Sequence, residues 1–286
     1  MVSWAITGAT RGIGLEYVNN LSADSNNEVF ALIRSRTTAG ALEDLAADRK
    51  NIHIIETDIS RPEKLKETAA EISKSTNGSL DVVILNASSP GPDTFALSPS
   101  DFRGKEEALE NEFYENVKAN IISNIYVIDS LVDLIRKGHE KKIVFISSQS
   151  GDIEFNRITG LTAQIGYSVS KAGMNLVMTK IGAELAQEGI KTLSLSPGWV
   201  NTDAGKLMPR EILSMQMIDI EAAKAVTGDP DVRKWIIGAF HKVDPNVEGP
   251  RPVEESVADQ LRVIGNLSAA ESGKFLTHHG NHDQWF

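Results

Sequence analysis

The sequence predicts a single α/β domain in which helices cover both faces of a parallel β-sheet. Two observations indicate this fold. Seven short segments rich in Val, Ile and Leu recur along the 286 residues, and most are apolar throughout, as in strands buried on both faces. Helical patterns separate these segments, which is the order expected of βαβ units with right-handed crossovers.

The predicted strands follow one another through the whole chain. They are VSWAITG (2–8), EVFALIR (28–34), NIHIIETD (51–58), LDVVILNA (80–87), KKIVFISS (141–148), IKTLSLSP (190–197) and GKFLTHHG (273–280). The helical patterns between them include residues 62–75 and 103–137. No linker divides the chain before residue 200, so we predict one domain spanning residues 1–286.

Residues 205–253 interrupt the alternation with two or three short helical patterns and a return rich in Pro and Gly. Excursions of this length in compact domains are usually functional or disordered. This one is too apolar for disorder, since it contains Met208, Met215, Met217, Trp235, Ile236, Ile237 and Phe240. We predict a helical lid over a substrate; a packed helical appendage is the alternative.

Composition limits the classes of partner. With 29 Lys and Arg against 39 Asp and Glu, the formal charge is −10, which argues against general binding to nucleic acid or anionic membranes. There is no cysteine, so disulfides, thiolate metal sites and cysteine nucleophiles are excluded. No apolar run approaches the roughly 20 residues of a membrane helix, and the N-terminus has no leader pattern. We expect a cytoplasmic protein.

A glycine loop follows the first predicted strand in AITGATRGIGLEYVNNL (5–21). Gly8, Gly12 and Gly14 permit a tight turn and leave amide groups at the N-terminus of the next helix, where a pyrophosphate binds favourably. A plain βα turn is the alternative. The spacing resembles the Thr-Gly-x3-Gly-x-Gly opening of the short-chain dehydrogenase/reductase family, which TGATRGIG matches at each fixed position.

The end of the second strand bears on the choice of cofactor. An acidic residue there accepts hydrogen bonds from the 2′-hydroxyl of NAD, whereas a basic one accepts the 2′-phosphate of NADP. The segment ALIRSR supplies Arg34 and Arg36 and no carboxylate. The resemblance adds Arg11, at a loop position that is basic in NADP-preferring members. We therefore predict NADP(H), because guanidinium groups pair well with phosphate; solvated surface arginines are the alternative.

A candidate acid lies in YSVSK, where Tyr167 and Lys171 are four residues apart and share a face of a predicted helix. A nearby ammonium favours the phenolate, so Lys171 is expected to lower the pKa of Tyr167. The pair then protonates a carbonyl during reduction or takes a proton from an alcohol. Ser147 and Ser148 end the fifth strand, at the sheet edge where α/β enzymes place their sites.

The family resemblance covers residues 2–204 and 254–280 and assigns further roles. It implies that Ser148 steadies the carbonyl oxygen and that Asn120 continues a proton relay from Lys171. A structural role for a buried Asn120 is the alternative. Ser148 and Tyr167 are 167 − 148 = 19 positions apart, a long interval, so Ser150 is a competing candidate. In having this long loop, the sequence resembles the branch of the family that contains the C-factor-like and sniffer-like carbonyl reductases.

The resemblance also implies a set of residues in contact with the cofactor. They are Gly8, Thr10, Arg11, Gly12, Ile13, Gly14, Arg34, Arg36, Asp58, Ile59, Asn86, Ala87, Tyr167, Lys171, Pro197, Gly198, Val200 and Thr202. The implied fold is a doubly wound Rossmann-type domain with strand order 3-2-1-4-5-6-7. Ser88 departs from the family pattern, which has glycine there.

Together these features predict an NADPH-dependent reductase of a ketone or aldehyde, reversible towards the alcohol. The alternative is an NADPH-binding protein of this fold that acts as a non-redox cyclase, isomerase or regulator. The resemblance implies a homodimer or homotetramer, paired through helices at 103–137 and 163–187. The cluster His278, His279, His282 and Asp283 lacks a helical ligand spacing, so we predict no metal site.

Overall fold

The computed structural model describes residues 1–89, 91, 94, 97–202 and 236–286. Its centre is a seven-stranded sheet in the order β3-β2-β1-β4-β5-β6-β7, in which each neighbouring pair is parallel. The strands are β1 (Val2–Thr7), β2 (Asn27–Ile33), β3 (Ile52–Glu56), β4 (Val82–Leu85), β5 (Lys142–Ile146), β6 (Lys191–Ser196) and β7 (Lys274–Thr277). The predicted strands, their parallel pairing and the implied order are confirmed.

Helices connect the strands. They are α1 (Gly12–Ser22), α2 (Gly40–Asp48), α3 (Pro62–Ser75), α4 (Glu106–Val117), α5 (Ser123–Arg136), α6 (Ile153–Thr159), α7 (Ile165–Leu185) and α8 (Val253–Gly265). The predicted helix at 103–137 is interrupted, because a π-helical turn at Lys118–Ile122 separates α4 from α5. Among the described residues, no helix has the length and apolarity needed to cross a bilayer.

The sheet is buried on both faces, which explains why its strands are apolar at consecutive positions. Ile6, Ile33 and Ile84 belong to one core, with side chains from α1 and α8. Their chain neighbours belong to the other core, with side chains from α3, α5 and α7. Successive strand residues point to opposite faces, so each strand serves both cores.

The parallel registers bring the carboxyl ends of the strands to one edge. Thr7 of β1 pairs with Leu32 of β2, and Ile146 of β5 pairs with Leu195 of β6. The segments that follow these residues therefore meet at the same edge. Ligands of doubly wound sheets bind in this crevice, so the edge is where the candidate site is sought.

A smaller aromatic cluster lies outside the two main cores. Phe155 of α6 contacts Phe240 and Trp285, with ring centroids 5.8 and 5.7 Å away. Phe240 also lies edge-on to Trp199, which follows β6. The end of the predicted lid is thus packed against α6 and the C-terminal residues. Most of that prediction, including Met208, Met215, Met217 and Trp235, falls within 203–235, outside the described residues.

Candidate active site

Two glycines of the loop between β1 and α1 are packed too tightly to be replaced by a residue with a side chain. Gly8 and Gly12 have φ values of +69° and +54°, in the left-handed region that favours glycine. A Cβ at Gly8 would lie 2.9 Å from the Cα of Ala87, and one at Gly14 would lie 2.2 Å from the carbonyl oxygen of Gly8. The loop backbone therefore lines the edge of the sheet directly, with α1 starting at Gly12.

The turn after β4 holds this loop in place. The side-chain amide of Asn86 donates to the carbonyl oxygens of Thr7 and Gly8, at 3.0 and 3.2 Å. In return, the hydroxyl of Thr7 accepts from the backbone N–H groups of Asn86 and Ala87. These bonds join the carboxyl ends of β1 and β4, so Asn86 fixes the backbone at the start of the glycine loop.

A cavity of about 580 Å³ extends from the glycine loop to the N-terminal part of α7. The predicted cofactor residues that line it are Gly8, Thr10, Arg11, Gly12, Ile13, Gly14, Arg34, Asp58, Ile59, Asn86, Ala87, Tyr167, Lys171, Pro197 and Thr202. One continuous cavity thus joins the residues predicted for phosphate binding with those predicted for proton transfer.

Three predicted cofactor residues lie outside the lining of the cavity. The guanidinium of Arg36 donates to the carbonyl oxygen of Ile54 at 3.0 Å and lies 3.4 Å from the Glu43 carboxylate. Val200 forms a β-bridge with Arg251. Gly198, with φ of +79°, packs against the ring of His278. Arg34 and Arg11 are therefore the predicted basic residues that the structure places at the cavity.

Sequence reasoning missed several lining residues on the helical segment before β5. Glu115, Lys118, Ala119 and Ser123 line the cavity. Their spacing of three or four residues is that of one helix face, and this was the signal available in the sequence. Ser88 and Ser89 also line the cavity, where the family pattern has glycine at the first of the two.

Tyr167 and Lys171 lie together on α7, as predicted. The Nζ atom of Lys171 is 5.4 Å from the centroid of the Tyr167 ring and 4.6 Å from that of Phe145. It donates to the carbonyl oxygen of Ile146 at 2.8 Å. Lys171 is 2% exposed, so its charged end lies at the carboxyl edge of β5 inside the protein.

The pKa values of this pair differ from the sequence prediction. Burial raises the pKa of Tyr167 to about 12, although a hydrogen bond with Ser148 acts in the opposite direction. Burial lowers the pKa of Lys171 to about 7, because the ammonium is withdrawn from water. The predicted lowering of the Tyr167 pKa is therefore wrong for this structure, because the raising effect of burial exceeds the lowering effect of the Ser148 hydrogen bond. The phenol is protonated at neutral pH, as a proton donor must be.

Ser148 is the serine that the structure brings to Tyr167, through the hydrogen bond named above. Its hydroxyl also accepts from the backbone N–H of Ser150 at 3.1 Å and so caps a short 3₁₀ turn. The long interval before Tyr167 is taken up by this turn and by α6, whose N-terminus is capped by Asp152. The insertion therefore leaves Ser148 beside Tyr167.

Asn120 lies in the π-helical turn, fully buried, and its amide is fully used. Its Oδ1 atom accepts from the Ser88 hydroxyl at 3.0 Å and from the Ser89 backbone N–H at 2.8 Å. Its Nδ2 atom donates to the Ser89 carbonyl oxygen and to the Ser170 hydroxyl. Asn120 thus ties the loop after β4 to α7, the structural role left open by the sequence. Its part in a proton relay stays a prediction.

The histidine cluster near the C-terminus does not converge on one point. The ring centroids of His278 and His279 lie 4.1 Å apart, with the rings tilted by 41° to each other. The Nε2 atom of His279 lies 2.6 Å from the carbonyl oxygen of Phe286. His282 and Asp283 are exposed. Across residues 1–202 and 236–286, so far as they are described, no group of three or more His, Cys, Asp or Glu side chains is placed to bind a metal.

Comparison with known proteins agrees with this architecture. The profile of the short chain dehydrogenase family matches residues 4–211. The short-chain dehydrogenase/reductase atnB of Arthrinium sp. is 44% identical over 283 residues, covering 99% of both chains. The short chain dehydrogenase virK of Hypocrea virens is 32% identical and covers 98% of both.

Solved structures resemble the chain over its whole length. The NADPH-bound carbonyl reductase from chicken fatty liver superimposes with a TM-score of 0.75 at 26% identity, covering 99% of this chain and 98% of that one. The carbonyl reductase Sniffer of D. melanogaster has the same TM-score of 0.75 at 24% identity, with complete coverage of both chains. With its matching fold, glycine loop and Tyr-x3-Lys pair, the chain belongs to the short-chain dehydrogenase/reductase family of oxidoreductases.

Proposed function

We propose that this chain is an NADP(H)-dependent reductase that converts a ketone or aldehyde to an alcohol. The observation that carries the proposal is the single cavity joining the glycine loop to Tyr167 and Lys171, with Ser148 hydrogen-bonded to Tyr167. The bare backbone of the loop at the start of α1 fits a pyrophosphate. The chicken carbonyl reductase, which binds NADPH, has a similar fold and supports the same cofactor.

Each catalytic side chain has a distinct task. A bound nicotinamide supplies the hydride that the carbonyl carbon receives. Tyr167 donates its phenolic proton to the carbonyl oxygen, and Ser148 donates a hydrogen bond to the same oxygen as negative charge develops there. Lys171, at the inner end of the cavity, stabilises the phenolate left on Tyr167 after proton transfer.

The direct test is NADPH consumption with a panel of aromatic, polycyclic and aliphatic ketones and aldehydes. Oxidation of NADPH that depends on the carbonyl compound is the expected result. Binding of NADPH without consumption across the panel would instead favour the non-redox alternative. Failure to bind either nicotinamide cofactor would contradict both.

Cofactor choice rests on Arg34 and Arg11, both exposed at the cavity. Arg34 comes directly after β2, where an acidic side chain would select NAD, and Asp58 lies near enough for the Arg34 charge to act on it. A guanidinium there pairs with the 2′-phosphate of NADP and gains nothing from the 2′-hydroxyl of NAD.

Arg34→Ala is expected to raise the KM for NADPH about tenfold and to leave the KM for NADH nearly unchanged, because one charge-assisted hydrogen bond to the phosphate is lost. Arg36→Ala is the matched control, since its guanidinium contacts Glu43 and Ile54 instead of the cavity. Steady-state kinetics with both cofactors measure the two ratios. Equal changes for NADPH and NADH in Arg34→Ala would remove the phosphate assignment.

We also propose that the chain forms a homodimer through α4 and α7. Large apolar side chains are exposed along this face: Tyr114 at 61%, Ile122 at 37%, Val169 at 45% and Leu176 at 59%. Exposed large apolar side chains on neighbouring helices are typical of a protein–protein interface.

Leu176→Asp is therefore expected to convert the dimer to a monomer, because the charge would be buried without a partner. Light scattering after size exclusion measures the mass. Ile153→Asp is the control: Ile153 is 82% exposed but lies on α6, so the mass is expected to stay that of the wild type. A monomeric wild type, or a dimer unaffected by Leu176→Asp, would contradict this interface.

A further inference from the structure

A chain of buried hydrogen bonds connects the two ends of the cavity through α8. The hydroxyl of Ser256 donates to the carbonyl oxygen of Pro197 at 2.8 Å. The amide of Gln260 donates to the Ser256 hydroxyl at 2.9 Å and accepts from the Tyr17 hydroxyl at 2.6 Å. Ser256, Gln260 and Tyr17 are each 0% exposed.

This series of hydrogen bonds begins at the turn after β6. Ser147, directly after β5, donates from its backbone N–H to the carbonyl oxygen of Leu195, two residues before Pro197. Pro197 lines the cavity, and its carbonyl oxygen accepts from Ser256 on α8. The turn is thus held by α8 while it borders the catalytic residues.

The same turn is supported at a second point. A Cβ at Gly198 would lie 2.7 Å from the Cε1 atom of His278, so the His278 ring packs directly against this glycine. His278 is 0% exposed. Between Ser256 and His278 the turn has little freedom to shift away from the cavity.

The series of hydrogen bonds ends, on its other side, at α1. Tyr17 lies five residues after Gly12, the first residue of the helix whose N-terminus carries the glycine loop. The hydrogen-bonded chain therefore joins the element at the phosphate end of the cavity to the turn at its catalytic end. A shift of either element would stretch a bond that water cannot replace.

Stability alone does not require these polar groups. A buried hydrogen bond contributes little net free energy to folding, and apolar side chains of the same shape would pack about as well. A series of buried hydrogen bonds, by contrast, is satisfied in only one arrangement of its side chains. On the reductase function proposed above, we infer that Ser256, Gln260 and Tyr17 are positioning residues that fix the Pro197–Gly198 turn relative to α1 and thereby orient the nicotinamide end of the cofactor.

The test compares Ser256→Ala with a control that loses an equivalent bond elsewhere. In single-turnover experiments with saturating NADPH, Ser256→Ala is expected to slow hydride transfer about tenfold, because small misplacements of reacting groups are costly. Tyr17→Phe, which leaves the Gln260 carbonyl without its donor, is expected to act in the same direction more weakly. The emission maximum of bound NADPH, measured without substrate, is expected to shift towards that of free NADPH.

Thr192→Val is the matched control. The Thr192 hydroxyl is buried and donates to the carbonyl oxygen of Met178 at 2.9 Å, between β6 and α7 and away from the cavity. Both Ser256→Ala and Thr192→Val are expected to lower Tm, but only Ser256→Ala is expected to change hydride transfer and NADPH emission. A loss of Tm alone in Ser256→Ala would overturn the positioning role.

The two proposals fail differently. A wild type that binds NADPH and reduces no carbonyl compound contradicts the reductase function, while the emission of bound NADPH still tests the positioning residues. A wild type that reduces carbonyls, with Ser256→Ala equal to it in rate and emission, contradicts only the positioning role.

Discussion

Replacing Tyr167 by phenylalanine is expected to lower kcat for carbonyl reduction about 100- to 10,000-fold, the usual contribution of a positioned general acid. The phenylalanine ring keeps the shape of the side chain on α7, while the phenolic proton and the hydrogen bond with Ser148 are lost. The KM for NADPH is expected to change little by comparison. Steady-state kinetics on a ketone that the wild type reduces, with Tm measured alongside, check both expectations.

Tyr114→Phe is the matched control for this variant. Tyr114 lies on α4 and is 61% exposed, so losing its hydroxyl removes a phenol of the same chemistry away from the cavity. Its kcat is expected to equal that of the wild type. Reduction at the wild-type rate by Tyr167→Phe would show that another group supplies the proton.

The same assay separates the two serine candidates. Ser148→Ala removes a hydroxyl that is hydrogen-bonded to Tyr167, so we expect kcat to fall about 10- to 100-fold. In Ser150→Ala the backbone N–H that bonds to Ser148 remains, and kcat is expected to stay near that of the wild type. The reverse result would move the catalytic role to Ser150.

The fold could be predicted from the sequence because each strand is buried on both faces. Continuous apolar runs such as that of β4 are rare outside buried strands and helices, and their alternation with helical patterns leaves few topologies. The glycine loop was equally readable, since Gly8 and Gly12 require backbone conformations that other residues rarely adopt. Both features depend on residues that are close together in the sequence, so they can be recognised without the structure.

The direction of long side chains could not be predicted. Arg34 and Arg36 looked equivalent two residues apart, but β2 ends at Ile33 and a 3₁₀ turn starts at Arg36. Once the strand ends, alternation no longer determines which side a residue faces. Arg36 consequently reaches Glu43 and Ile54 while Arg34 stays at the cavity.

The pKa values of Tyr167 and Lys171 could not be predicted from the sequence either. The Tyr-x3-Lys spacing correctly placed Tyr167 and Lys171 together, and it suggested that charge would dominate. Burial dominates instead, and burial depends on Phe145 and on the edge of β5, which are distant in sequence. Spacing reports which groups meet, whereas desolvation depends on everything packed around them.

Lys171→Met is expected to make the folded protein more stable while removing most of its reductase activity. Lys171 is buried against Phe145 and the carbonyl oxygen of Ile146, and burial lowers its pKa to about 7. The charged form is therefore disfavoured by folding. Methionine has a similar shape and no charge, so we expect the free energy of unfolding near pH 7 to rise by about 1–3 kcal/mol.

The stability advantage of Lys171→Met is expected to depend on pH. The pKa of Lys171 falls from an ordinary 10.5 to about 7 on folding, so between these values the unfolded chain binds a proton that the folded chain lacks. Stability of the wild type then rises with pH across this window, and the full penalty applies below about pH 7. The advantage of Lys171→Met is accordingly expected to be largest near pH 6.5 and to shrink towards about pH 10, as measured by urea unfolding.

Lys142→Met tests whether this gain depends on the absence of a compensating charge. Lys142 is also buried, but its Nζ atom lies 2.8 Å from the Glu140 carboxylate and donates to the carbonyl oxygen of Gly265. Removing it breaks an ion pair, so stability is expected to fall instead of rise. A loss of stability in Lys171→Met of the same size would mean that the Lys171 ammonium is stabilising in the folded protein. In that case the role proposed for it, stabilising the Tyr167 phenolate, would carry no cost to the fold.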